Sequence, residues 1–170
     1  MASKNTTLLT EEQRSKLVQL PDYVSDRLLA RYHTLSEHDL GVIHGHRRDY
    51  NKLGFALQLC FLRFPGRVVS DITAVPQRVL SHIAAQLDLP VSALDAYGKR
   101  DNTFYEHLDE IRAVFGFRNY GWREILLLTR KLLPIAMQNH RPLPLVMKAL
   151  DLMREEKIIA PCITESNDSA

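Results

Sequence analysis

From Leu53 to Phe64 the sequence runs Leu-Gly-Phe-Ala-Leu-Gln-Leu-Cys-Phe-Leu-Arg-Phe, with only Gln58 and Arg63 polar. As a helix this segment is apolar on every side, and a helix without a polar face has to be enclosed by other elements. The chain therefore needs a packed core, and its 170 residues suffice for one sizeable domain or two small helical ones that share an interface. Pro65-Gly66 stops the segment, and Arg67 to Val75 reads as a connector with an extended stretch.

The flanking sequence is helical in pattern throughout. Thr10 with Gln13 predicts a capping box ahead of a helix closed by Pro21, Ser25 precedes a short helix through Leu28, Leu29 and Tyr32, and Ser36 with Asp39 starts another through Leu40 and Ile43. Beyond the connector, Pro76 occupies a favoured first helical position, and Val79, Leu80, Ile83, Ala84 and Leu87 form one stripe that ends at Pro90. Ser92 to Tyr97 makes one or two further turns. Thr103 with Glu106 predicts a capping box for a helix that carries Phe104, Leu108, Ile111 and Phe115 on one side and stops at Gly116.

An apolar helix is expected from Trp122 to about Met137, bent or broken near Pro134, with Trp122 in a core or interface. Arg141-Pro142-Leu143-Pro144 predicts a rigid turn, a last helix runs from about Leu145 to Lys157, and Ile158 to Pro161 leaves it extended. No run alternates as a strand would. The expected fold is all-α: two consecutive small helical bundles with helix-turn-helix-like organisation, each leading through a basic turn into a helix with a strong apolar face. The expected boundaries are a flexible 1–9, a first domain 10–68, a connector 69–75, a second domain 76–163 and a disordered tail 164–170.

The net charge of +2 does not by itself advertise nucleic-acid binding, so the distribution of charge carries the argument. Residues 1–40 hold five basic and six acidic side chains, whereas 41–67 hold Arg47, Arg48, Lys52, Arg63 and Arg67 against Asp49 alone. Arg47, Arg48, Asn51 and Lys52 stand just ahead of the buried helix, where cationic side chains and free amide groups at a helix N-terminus suit phosphate, and an asparagine suits an adenine edge. The competing reading is a solvated polar turn. The second constellation is Lys99, Arg100, Asn102 and Thr103, followed by Arg118 and Arg123. Glu106, Asp109 and Glu110 on the intervening helix would repel phosphate, so only its N-terminal end suits DNA.

Catalytic and metal chemistries are disfavoured. His44 and His46 diverge on a helix, no carboxylate or cysteine completes a zinc spacing around His33, His38 or Cys60, and Cys60 and Cys162 are too far apart in sequence to suggest a metal finger or a disulfide framework. Asp109-Glu110 and Glu155-Glu156 are sequence neighbours that diverge, whereas paired catalytic carboxylates converge. No signal peptide and no apolar run long enough for a bilayer appear, and a reducing cytoplasm is the expected location.

Arg47-Arg48 to Arg67 with its Leu53–Arg63 centre, Tyr97-Gly98-Lys99-Arg100, Arg118-Asn119-Tyr120-Gly121-Trp122 and Ile158-Ile159-Ala160-Pro161 together resemble the N-terminal region of the Tn-three family of replicative transposases, over roughly residues 10–163. The resemblance implies tandem helical domains that recognise double-stranded DNA at the transposon's terminal inverted repeats, with self-association through the transposase as a further contact. It also implies a distant ribonuclease-H-like domain with an Asp-Asp-Glu triad and magnesium, which this chain does not reach. No catalytic residue, cofactor, membrane contact or small-molecule substrate is therefore expected here. The alternative expectation is a helical protein-interaction module of the transposition machinery, using the faces near Trp122–Met137 and Leu145–Met153.

Overall fold

The computed structural model describes residues 10, 12–13, 24–69, 71–97, 101–138 and 141–161, with backbone only at 73, 101 and 102. Thr10 and Gln13 exchange the two bonds of a capping box, the Thr10 amide donating to Gln13 Oε1 at 3.0 Å and the Gln13 amide to Thr10 Oγ1 at 3.3 Å. The expected stop at Pro21 lies outside the described residues.

Helix α1 spans Asp26–Tyr32 and starts at Ser25, whose hydroxyl accepts from the Leu28 amide. Helix α2 spans Glu37–His44 and begins with the reciprocal box of Ser36 and Asp39. Helix α3 spans Asp49–Arg63, and every residue from Leu53 to Leu62 is buried, as a helix lacking a polar face requires. A 3-10 turn at Ile72–Ala74 leads to α4, Gln77–Gln86, and a 3-10 helix at Val91–Ala96 precedes α5, Asp101–Phe115. Gly116, at φ +73°, donates its amide to the Arg112 carbonyl and closes α5 as expected for a left-handed cap. Helices α6, Trp122–Gln138, and α7, Pro142–Glu155, form the last pair. The architecture of the described residues is all-α, with one isolated parallel bridge between Arg118 and Ile158. No helix among them is long and apolar enough to cross a membrane.

Local boundaries differ from the sequence expectation in four places, each for an identifiable reason. Pro76 is the N-cap residue of α4 and not its first helical residue. Helix α5 already includes Asp101, so Thr103 lies inside it and does not cap it. Helix α6 runs on through Pro134, which is solvent-exposed and lacks the amide that would bond the Arg130 carbonyl. The expected rigid turn at Arg141–Pro144 is instead the first turn of α7, because a proline at the first helical position is preset in φ and has no orphan amide to satisfy.

Apolar packing does not part at 69–75. One cluster joins Val24, Leu29 and Ile43 of the first half to α3, then to Val79, Ile83, Leu94, Tyr97, Ile111 and Phe117 of the second. A smaller cluster of Leu128, Leu152, Met153 and Ile158 holds α6 to α7. The Gln86 side chain bolts the two halves together, accepting from the Leu35 amide at 2.8 Å and donating to the His33 carbonyl at 2.9 Å. Residues 158–160 form a strap between the clusters: Ile159 donates to the Arg118 carbonyl at 2.9 Å, Ala160 donates to the Gly66 carbonyl at 2.9 Å, and the Ile159 side chain enters the first cluster.

The close approach of α3 to Tyr97 depends on Gly54, since a Cβ there would lie 2.2 Å from two carbons of the Tyr97 ring. Forced overpacking of a dense core costs about 1–3 kcal/mol. Gly54→Ala is accordingly expected to lower unfolding stability by about 2 kcal/mol or more in urea melts, despite alanine's better helix propensity. A neutral or stabilising effect would contradict this packing.

Candidate nucleic-acid interface

The turn from Gly45 to Arg48 joins α2 to α3 and is anchored by His46, whose ring centroid lies 4.6 Å from that of Phe55 on α3 and 4.7 Å from that of His107 on α5. His46 Nε2 also lies 3.7 Å from a Glu110 carboxylate oxygen. With the turn held from below, Arg47 and Arg48 are both exposed, and the Arg48 guanidinium lies 5.7 Å from the Tyr50 ring centroid. Among the described residues neither arginine pairs with a carboxylate. Arg48 is the N-cap residue of α3 and offers no side-chain cap, so the first amides of α3 lack a side-chain acceptor from it.

The other expected contacts separate on inspection. Lys52 is half-buried and reaches back to Asp49 at 3.5 Å. Asn51 is turned inward: its Oδ1 is shielded from solvent and has no hydrogen-bond partner, so this amide is not displayed for reading a base edge. Arg63 forms a two-pronged pair with Asp39, each nitrogen 2.8 Å from a carboxylate oxygen, while Asp39 also accepts from the Ser36 amide. Burial pushes the Asp39 pKa up, but the Arg63 and Ser36 bonds and the Arg63 charge outweigh it and leave the carboxyl below its ordinary value. Arg63 thus serves the joint between α2 and α3. Arg67 is half-buried in the connector and is itself engaged in a polar or electrostatic contact.

The second constellation is described only in part. Lys99 and Arg100 lie outside the described residues, as does the Asn102 side chain, and Thr103 is half-buried within α5. Tyr105, Glu106 and Asp109 are exposed on α5, so part of its outer surface is acidic. Arg118 is tied to the Glu156 carbonyl at 3.0 Å and lies 3.7 Å from Glu124. Arg123 is exposed and lies 5.3 Å from the ring centroid of Trp122, which is 70% exposed and so lies outside the core, one of the two places expected for it. Helix α3 has only its first turn accessible, so it cannot lie along a groove as a recognition helix does. The basic turn presents its end instead.

Beneath the turn runs a polar thread that composition conceals. The Gln58 amide donates to the Tyr97 hydroxyl, and that hydroxyl lies 3.0 Å from His107 Nδ1. Since Gln58 fills the oxygen's acceptor role, the tyrosine proton is free for His107, which suits a neutral imidazole protonated on Nε2. Burial, with the neighbouring His46, holds His107 down to about 4. His33 is also lowered by burial and by His82, opposed by its bond to the Leu28 carbonyl. The sequence signal for the thread was Gln58 itself, a buried amide in an otherwise apolar run that demands partners. Among the described residues no group of three or more histidine, cysteine, aspartate or glutamate side chains is placed to hold a metal ion.

Comparison with known proteins places the chain in a family. It belongs to the family described as a domain of unknown function, DUF4158, whose model matches residues 8–167. It is similar to the transposase for transposon Tn1546 of Enterococcus faecium, 36% identical over 162 residues that cover 95% of this chain and 16% of the relative. Similar too are the transposases for Tn501 of Pseudomonas aeruginosa, at 34%, and for Tn3926 of Escherichia coli, at 36%, each over 92% of this chain and 16% of the relative. The chain thus spans 16% of the length of these relatives and corresponds to the N-terminal part of Tn-three family transposases, as its sequence segments imply.

Two outcomes follow from the geometry. Arg63→Ala leaves the buried Asp39 carboxylate without its main counter-charge, a change that costs about 3–5 kcal/mol in a fully buried pair and less here because Arg63 is partly exposed, and equilibrium unfolding should show that loss; unaltered stability would return Arg63 to the list of free cations. For His107 the unfolded chain takes up a proton near 6.5 and the folded one only near 4, so the unfolded state binds more protons between those values. Stability is then intact above pH 6.5 and falls by up to about 3 kcal/mol as the pH drops toward 4. Denaturation curves across that range should flatten in His107→Gln, and an unchanged pH slope in the variant would refute the assignment.

Proposed function

We propose that this chain binds double-stranded DNA at the terminal inverted repeats of a transposon, as the N-terminal part of a replicative transposase, and that it contributes recognition without cutting. The observation that carries the reading is the exposed Arg47-Arg48 pair at the start of α3, free of carboxylate partners among the described residues, on a turn braced by His46 against two helices. Guanidinium groups on a rigid turn neutralise backbone phosphates, and the unsatisfied amides at a helix N-terminus add donors of the same polarity. The names of the relatives, all transposases for particular transposons, support the same direction. On this reading strand cleavage, with its magnesium, belongs to a region outside the matched part of the larger proteins.

The arginines act as phosphate clamps; at the second constellation Lys99 and Arg100 are assigned to the DNA backbone, and Asn102 and Thr103, in the first turn of α5, to base contact. Exposed Arg123, on α6, adds a phosphate contact. Lys52, paired with Asp49, offsets the one carboxylate at the first turn of α3.

Each phosphate neutralised contributes about 0.9 to the slope of log affinity against log salt. Arg47→Ala with Arg48→Ala should therefore weaken binding to a terminal-repeat duplex and reduce the salt slope by about two, with the thermal unfolding midpoint unchanged. A salt-independent affinity in the parent protein, or equal loss of folding in the variant, would defeat the proposal.

A further inference from the structure

Glu106 and Glu110 stand one turn apart on α5, and by charge alone each is a repulsive neighbour for a phosphate chain. Their surroundings separate them. Glu106 is exposed, whereas a Glu110 carboxylate oxygen lies 3.7 Å from Nε2 of His46, the residue immediately before Arg47 and Arg48. That nitrogen is shielded from solvent and has no hydrogen-bond partner. A buried polar atom left unpaired is costly, and about 0.7 Å of further approach brings the two groups to hydrogen-bond distance.

We infer that Glu110 is a positioning residue for the basic turn: its carboxylate accepts from His46 Nε2–H and, by pairing best with the imidazolium, makes phosphate binding by Arg47 and Arg48 proton-linked. The inference rests on the DNA contact proposed for those arginines.

The groups around His46 decide the sign. From α3 the ring meets Phe55, which is uncharged, and from α5 it meets His107 and Glu110. Burial, with the neighbouring His46, holds His107 down to about 4, so that ring stays neutral near neutral pH and leaves the proton to His46. The turn itself contributes Arg47 and Arg48, and α2 ends in His44; all three are exposed. An imidazolium at His46 is thus favoured by Glu110 and opposed by the two arginines. Phosphates on the arginines cancel the opposing charge, so duplex binding and proton uptake reinforce each other. Affinity consequently falls as the pH rises from about 6 to 8 and the imidazole loses its proton.

Glu110→Gln in the full chain tests this role, with Glu106→Gln as the charge-matched control. Affinity for a terminal-repeat duplex is read at fixed salt between about pH 6 and 8. Removing a merely repulsive carboxylate leaves binding unchanged or tightens it, and that is the result expected for Glu106→Gln. Glu110→Gln is expected instead to weaken binding at the acid end, by up to about fivefold, the worth of a part-exposed ion pair, and to flatten the pH profile. In a His46→Gln background it should change affinity no more than Glu106→Gln does. Without DNA, Glu110→Gln should lower the thermal unfolding midpoint more at pH 6 than at pH 8, a readout independent of the duplex and of whether His46→Gln folds. Tighter binding by Glu110→Gln, a pH profile as steep as the parent's, or equal midpoint shifts at both pH values would overturn the inference. Absence of duplex binding by the parent, with the midpoint pattern intact, would instead remove the DNA reading and the linkage to phosphate while leaving the His46–Glu110 contact standing.

Discussion

A helix with no polar face has to be surrounded, and α3 is surrounded by elements from both sides of the sequence. Its burial from Leu53 to Leu62 draws in α2, α4, the 3-10 helix at Val91–Ala96 and α5, and each of these presents one apolar side to it. The short helices could not fold alone, since helices of this length are marginal in water and gain their stability from packing. The connector at 69–75 therefore links two stretches of sequence that share one core. Val69 and Val75, at its two ends, are themselves part of that core.

The same enclosure explains why the cationic residues divide into two kinds. A cation close to α3 has to be paired, because an unpaired buried charge is far more costly than an exposed one. Arg63 emerges from the last turn of α3 beside the buried carboxylate of Asp39, and the two form a cross-link that holds α2 against α3. Arg47 and Arg48 precede the helix, where the chain has just left the core, and stay in solvent. Sequence proximity had grouped these residues as one basic cluster, and burial separates them.

A polar thread through the core adds specificity to what would otherwise be a greasy contact. Gln58, Tyr97 and His107 bond one another in sequence through the Gln58 amide nitrogen, which ties α3, the end of the 3-10 helix and α5 into one preferred register, while Gln58 Oε1 is buried without a partner among the described residues. His46 joins the end of that thread through its contact with His107, which couples the basic turn mechanically to α5. The turn's rigidity thus arises from a histidine one residue before the arginines. The α6–α7 pair stands apart, with its own small cluster, and is fastened by the strap at 158–160 between Arg118 and Gly66.

Local chemistry was legible wherever a residue acts through its neighbours in the chain. Ser25, Ser36 with Asp39, and Thr10 with Gln13 cap as their side chains require, Gly116 stops α5, and the stripe from Val79 to Leu87 is buried, because capping and helical periodicity depend on positions three or four residues apart. The enclosed helix and the all-α class followed from the same short-range patterns. Tertiary structure alone decided which polar groups face inward and which elements share a core: Asn51 and Arg63 turn toward the interior while Trp122 turns out, and the core crosses the expected domain boundary. Those outcomes depend on partners tens of residues away, Asp39 for Arg63 and Tyr97 for Gln58, and desolvation is set by what the whole chain places around a side chain, which no local window of sequence contains.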